Sequence, residues 1–325
     1  MKIKYVDPKN LGGGDLAPAA QSRLDSMSKE KVQLWDKPAA IIRAESSASI
    51  KNEMSLYPPP VKATVRRLTI PGPAGELEAI VYTPTGMGPH PLLVYFHGGG
   101  WVLGEPDDFD SANHILANDA GCVLLSVAYR LAPEHVFPAA FDDCYHTYCW
   151  AVENADLLGI DPDRIAVAGD SAGGNLAAAV SQKLRDQNFI PQPRLQVLVY
   201  PVTDHSDNEW PSYDLFSAYD LSRADMEWFR KQYAPNPQHW RNSYLSPYLA
   251  ADLSNLPQAL VITAEFDVLR DEGEAYARRL HEAGVPVSCS RYLGMYHAFA
   301  LMPGIFEEAQ LALEEMITAL INSFE

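Results

Sequence analysis

Apolar positions along this chain fall into short runs that read as strands, interrupted by two stretches that follow no strand pattern. Residues 64–70 (Thr-Val-Arg-Arg-Leu-Thr-Ile) and 77–83 (Leu-Glu-Ala-Ile-Val-Tyr-Thr) alternate with period two, as strands with one wet face do. The Pro-Gly-Pro-Ala-Gly link at 71–75 is turn chemistry, so the pair predicts an antiparallel hairpin at a sheet edge. Six later runs, at 92–96, 122–129, 165–168, 195–200, 259–264 and 287–293, are mostly apolar, as strands buried on both faces are. Helix-forming stretches separate most of them, which predicts parallel pairing through right-handed crossovers. The expected fold class is α/β: a mostly parallel twisted sheet of about eight strands with helices on both faces. No internal repeat or low-complexity tract disturbs it.

Residues 1–55 show no strand pattern and contain helix-like pieces such as 19–35. Residues 202–245 interrupt the core and are rich in aromatic side chains. Within them, 222–233 predicts an amphipathic helix, with Met226, Phe229 and Tyr233 at helical spacing. An aromatic stripe of this kind packs a core, yet some of it can reach a pocket. The expectation is that 1–55 and 202–245 form a helical cap or lid, and that 56–201 and 246–325 form the core beneath it. Trp101, Tyr200, Phe216, Met226 and Phe229 are the candidate substrate-binding residues.

The chemistry starts at Gly169-Asp170-Ser171-Ala172-Gly173, which lies between an apolar strand and a helix-forming run beginning at Asn175. A serine flanked by small residues at such a corner is the nucleophile elbow of an α/β-hydrolase. The turn is too tight for larger neighbours, and the backbone N–H of Ala172 points to the serine from the first turn of a helix. Upstream, 92–96 runs into His97-Gly98-Gly99-Gly100-Trp101. Backbone N–H groups of a glycine loop can approach a developing oxyanion because no side chain blocks them. The spacing matches neither a phosphate-binding P-loop nor a dinucleotide fingerprint.

A serine hydroxyl needs a base, and the base needs an orienting acid. Four histidines follow Ser171. His205 and His239 lie in the aromatic insertion, His281 lies in a helical pattern, and His297 lies in a loop after the last strand. The last is where an α/β-hydrolase places its base, with the acid between serine and histidine. Asp267, just past the run 259–264, is the candidate acid. Glu265 sits too close to the strand interior, and Asp271 reads as a helix N-cap and is the fallback.

This motif set resembles the hormone-sensitive-lipase-like esterases, the bacterial family IV, from about Leu68 to the C-terminus. Tyr129-Arg-Leu-Ala-Pro-Glu-His135, Phe137-Pro-Ala-Ala140 and Asp161-Pro-Asp-Arg-Ile165 carry the likeness further. The resemblance implies an α/β-hydrolase with a cap. It implies Ser171, Asp267 and His297 as the triad, and Gly98, Gly99 and Ala172 as the oxyanion hole. It also implies activity on short- to medium-chain acyl esters, and cis peptides before Pro133 and Pro138. Two positions depart from the family pattern: Asp267-Val-Leu where Asp-Pro-Leu is usual, and His297-Ala-Phe where His-Gly-Phe is usual. Rival readings on the same scaffold are an amide deacylase, a dehydratase, a lipase acting at an interface and a non-enzymatic small-molecule receptor.

Composition narrows the partners. A formal charge of −17 over 325 residues opposes nucleic-acid binding. The four cysteines, at 122, 144, 149 and 289, have no metal-ligand spacing; neither metal nor cofactor is expected. The N-terminus carries no signal-peptide pattern, and no apolar run is long enough to span a membrane. The expectation is a cytoplasmic protein acting on a small-molecule ester without a membrane, with a homodimer left open as its assembly.

Overall fold

The computed structural model describes residues 1–27, 33–59 and 61–325. Among these residues nine strands form one sheet: β1 (Lys4–Val6), β2 (Thr64–Gly72), β3 (Gly75–Thr83), β4 (His90–Phe96), β5 (Val123–Val127), β6 (Ile160–Asp170), β7 (Leu195–Val199), β8 (Gln258–Phe266) and β9 (Val287–Tyr296). Their spatial order is β1-β9-β8-β7-β6-β4-β5-β3-β2. The hairpin expected from the alternating segments is present, with Gly72 opposite Gly75, and β3 also runs antiparallel to β5. All remaining pairs are parallel.

Among the described residues, ten α-helices accompany the sheet. They are α1 (Pro18–Ser26), α2 (Ala39–Met54), α3 (Asp110–Asp119), α4 (Ala139–Glu153), α5 (Ala155–Leu158), α6 (Ala172–Asp186), α7 (Pro211–Leu215), α8 (Arg223–Tyr233), α9 (Arg270–Glu282) and α10 (Glu307–Phe324). Side chains alternate across the sheet because successive strand residues point to opposite faces. Leu92, Val94 and Phe96 of β4 join one buried cluster with α4, α6 and α9. Leu93 and Tyr95 join the other, with α3 and α10. Continuous apolar strands are what a sheet covered on both faces requires.

Two details differ from the sequence reading. The sheet has nine strands, because Lys4–Val6 pairs in parallel with Ser290–Tyr292 of β9. The N-terminal segment, expected to hold no strand, thus also contributes to the core. The helix-like piece at 19–35 is seen as α1 over Pro18–Ser26, and its continuation lies partly outside the described residues. The peptides before Pro133 and Pro138 are cis, as are those before Pro89 and Pro191.

Candidate active site

The elbow forms where β6 ends and α6 begins. Ser171 has φ 53° and ψ −117°, a region that disfavours a side-chain-bearing residue. Surrounding contacts hold it there. Its N–H donates to the Val199 carbonyl at 2.8 Å, and its own carbonyl accepts from Asn175 N–H at 3.1 Å. The helix can start this close to the sheet because position 173 is glycine: a Cβ there would run into the Phe96 carbonyl.

Parallel strands β8 and β9 deliver the other two groups to the same edge. Asp267 follows the last residue of β8, and His297 follows the last of β9. Ligand sites of open α/β sheets lie at this carboxyl edge. His297 Nδ1 lies 2.8 Å from Asp267 Oδ2, and His297 Nε2 lies 3.0 Å from Ser171 Oγ. Asp267 is 1% exposed, and its second oxygen accepts the N–H of Leu269 at 2.9 Å. Burial by itself would lower the pKa of His297. The charge of Asp267 and its hydrogen bond outweigh that, leaving the imidazole above its ordinary value.

Asp271 does not cap its helix as expected. Helix α9 already begins at Arg270, and the Asp271 carboxylate turns outward to accept Ser212 N–H and pair with Arg270. Of the other histidines, His205 is buried, His239 packs beside Phe137, and His281 lies exposed on α9.

The glycine loop is braced from below. Tyr129 Oη donates to the His97 carbonyl at 2.7 Å, and His97 Nδ1 lies 2.7 Å from the Gly98 carbonyl. The His97 ring is stacked between Tyr129 and Phe109. Burial lowers its pKa to about 4, so it is uncharged near neutrality.

Gly98 and Gly99, two of the three expected oxyanion-hole residues, line the cavity beside Ser171. The Gly98 amide lies against the Asp170 carboxylate, which a Cβ at that position would strike, and favours its charged form. Asp170 accepts from Tyr95 Oη at 2.7 Å. Burial raises Asp170 to about 6, against the opposing pull of Tyr95, His297 and the Gly98 amide. Among the described residues, the N–H groups of Gly99, Gly100 and Ala172 have no protein acceptor. Gly100, which the sequence reading did not name, lines the cavity beside Gly99.

Ser171 and His297 open into a cavity of about 340 Å³. Of the five candidate substrate-binding residues, Tyr200, Met226 and Phe229 line it. The Tyr200 ring is 4.7 Å from that of His297. The other two are packed elsewhere. Trp101 is fully buried, stacked on Tyr233 at 4.6 Å and 5.0 Å from His205. Phe216 packs edge-on against Phe266, with the Arg270 guanidinium over its ring. The cavity walls also use Ile50 and Met54 of α2, Leu221, and Leu301 with Met302 beyond His297.

A family described as "alpha/beta hydrolase fold" matches residues 93–301. The chain belongs to the α/β-hydrolase family. Within this family it falls among the hormone-sensitive-lipase-like carboxylic ester hydrolases. It is 45% identical over 269 residues to the carboxylic ester hydrolase LipN of Mycobacterium tuberculosis, covering 81% of this chain and 71% of that one. It is 44% identical over 229 residues to an ethyl acetate hydrolase of Pseudomonas putida, covering 70% and 72%. The hyperthermophilic esterase of the archaeon Pyrobaculum calidifontis superposes with a TM-score of 0.91 at 39% identity, over 95% of this chain and 99% of that one. No helix among the described residues of this α/β-hydrolase is long and apolar enough to cross a membrane.

Proposed function

We propose that this ester hydrolase acts on short- to medium-chain acyl esters through an acyl-enzyme on Ser171. The observation carrying the reading is the continuous hydrogen-bonded row Ser171–His297–Asp267. His297 Nε2 takes the hydroxyl proton as Ser171 Oγ attacks the ester carbonyl. Asp267 holds the imidazole in its working tautomer and stabilises the imidazolium. The open amides of Gly99, Gly100 and Ala172 donate to the carbonyl oxygen as it gains charge. His297 then passes its proton to the departing alcohol, and water activated by the same ring releases the acid and restores Ser171.

Residues 1–55, apart from the sheet strand Lys4–Val6, and residues 202–245 serve as the cap, since α2 and α8 both contribute walls to the cavity. A volume of about 340 Å³ lies at the small end of the roughly 300–1,000 Å³ usual for ligand pockets. That supports short and medium chains over long ones. A ladder of p-nitrophenyl esters from acetate upward tests this: turnover should peak at short or medium chains. Ser171→Ala should abolish it, with a loss of about 10⁵-fold or more. A maximum at long chains that appears only above the solubility limit would favour an interfacial lipase instead.

A further inference from the structure

The pairing of β8 with β9 is irregular beside the triad. Ala264 faces Tyr292, yet Phe266 faces Tyr296, so two steps along β8 meet four along β9. Residues 293–295 bulge, and a bulge re-aims the strand beyond it; that end of β9 leads directly into His297. Within the bulge, the Gly294 N–H donates to a side chain, Glu265 Oε2, at 2.8 Å. The other oxygen, Oε1, accepts the N–H of Gly14 at 2.8 Å. Glu265 is 9% exposed; its bond to Gly294 is buried, and its bond to Gly14 is half-buried at the edge of the arm.

The N-terminal arm closes the arrangement. Gly294 has φ 75°, and a Cβ there would lie 2.8 Å from the Ala17 nitrogen, whose N–H donates to the Gly294 carbonyl at 3.0 Å. Glycines 12–14 all have positive φ. Asp7 fixes the near end of that loop by accepting from Leu11 and Gly12 N–H at 2.8 and 2.9 Å. Glu265 therefore stands two residues before Asp267, bonded to a position three residues before His297 and to the arm.

We propose that Glu265 is a positioning residue. Its carboxylate supplies the acceptor that the bulged ladder lacks, fixing the strand end that carries His297 relative to Asp267. The proposal rests on the triad reading above. Glu265→Gln tests it at nearly constant volume: one oxygen still accepts, while the new amide N–H₂ faces an N–H that it cannot accept from.

Turnover is measured per site titrated with a phosphonate, alongside thermal midpoint and the NMR titration of the His297 ring. The expected result is a fall in kcat of roughly tenfold, the scale of a slightly misplaced base, with KM within about twofold. The imidazole midpoint should fall too, as its contact with Asp267 loosens. Asp7→Ala, which slackens the arm without touching the buried bonds, should move kcat and the midpoint in the same direction by a smaller factor.

Unchanged kcat per site and an unchanged imidazole midpoint, with or without a lower thermal midpoint, overturn the proposal and leave Glu265 a structural clamp. The functional reading fails separately, if the wild type does not turn over esters or Ser171→Ala still does. The ring titration needs no turnover and continues to test Glu265 in that case.

Discussion

Ser171, Asp267 and His297 are far apart in sequence, and each owes its place to a strand end. A neutral imidazole is needed to accept the serine proton, so activity should rise with pH as His297 loses its own. Its pKa is raised, which puts the midpoint of that rise above the ordinary imidazole value of about 6.5. Asp267→Asn removes the charge that counters burial, so the midpoint should move to lower pH. At its plateau kcat should fall by roughly 10⁴-fold, because the amide favours the wrong tautomer. A pH–kcat profile of both proteins checks the two effects together; an unmoved midpoint would mean that Asp267 does not set the basicity of His297. The departures from the family pattern, Val268 and Ala298, remove neither group. Val268 is fully buried, and Ala298 lines the cavity in a left-handed conformation with φ 66°.

At the scale of elements, α8 shows how a short amphipathic helix becomes a wall. Ser222 caps it: the hydroxyl accepts from Asp225 N–H at 3.1 Å, and the Asp225 carboxylate accepts from Ser222 N–H at 2.9 Å. Ser222→Ala should lower stability by about 1 kcal/mol, read from a denaturant or thermal midpoint, and loosen the wall carrying Met226 and Phe229. Both residues were legible in the sequence, because their spacing places them on one helical face. Trp101 and Phe216 were misplaced for a common reason. Nearness in sequence to a glycine loop or to an insertion does not say which way a ring turns. The left-handed backbone at Trp101, with φ 59°, goes with a ring stacked on Tyr233, while Phe216 packs behind the acid loop. The strand Lys4–Val6 was illegible because three residues carry no period; only pairing with β9 makes them a strand. The walls from α2 were hidden as well, since that helix shows no clear apolar stripe. The central strands and the order of the three site residues needed no tertiary context, because continuous apolar runs and an elbow between strand and helix are local signals.

For the molecule as a whole, charge bears on which esters arrive. The full sequence carries a formal −17, and the cavity walls repeat that sign. Among the described residues, those lining the cavity include Glu53, Asp108, Asp170, Asp220 and Asp225, and no lysine or arginine. Glu53 is paired with Arg23 and Asp108 accepts from Ser47, so the local field is weaker than the count implies, but its sign is set by the whole chain. A negatively charged cleft disfavours approach of an anion, and the effect fades as salt shortens the screening length. An ester bearing a free carboxylate on its acyl chain should show a kcat/KM roughly tenfold or more below that of its uncharged isostere at about 0.01 M salt. The gap should narrow as ionic strength rises toward about 0.5 M, while the neutral ester barely responds. The same field favours departure of the carboxylate product once it is free of Ser171. Comparing the two esters across a salt series separates charge from shape, since a steric penalty would not change with salt. Equal rates at low salt would show that the field at the mouth of the cavity is too weak to select among substrates.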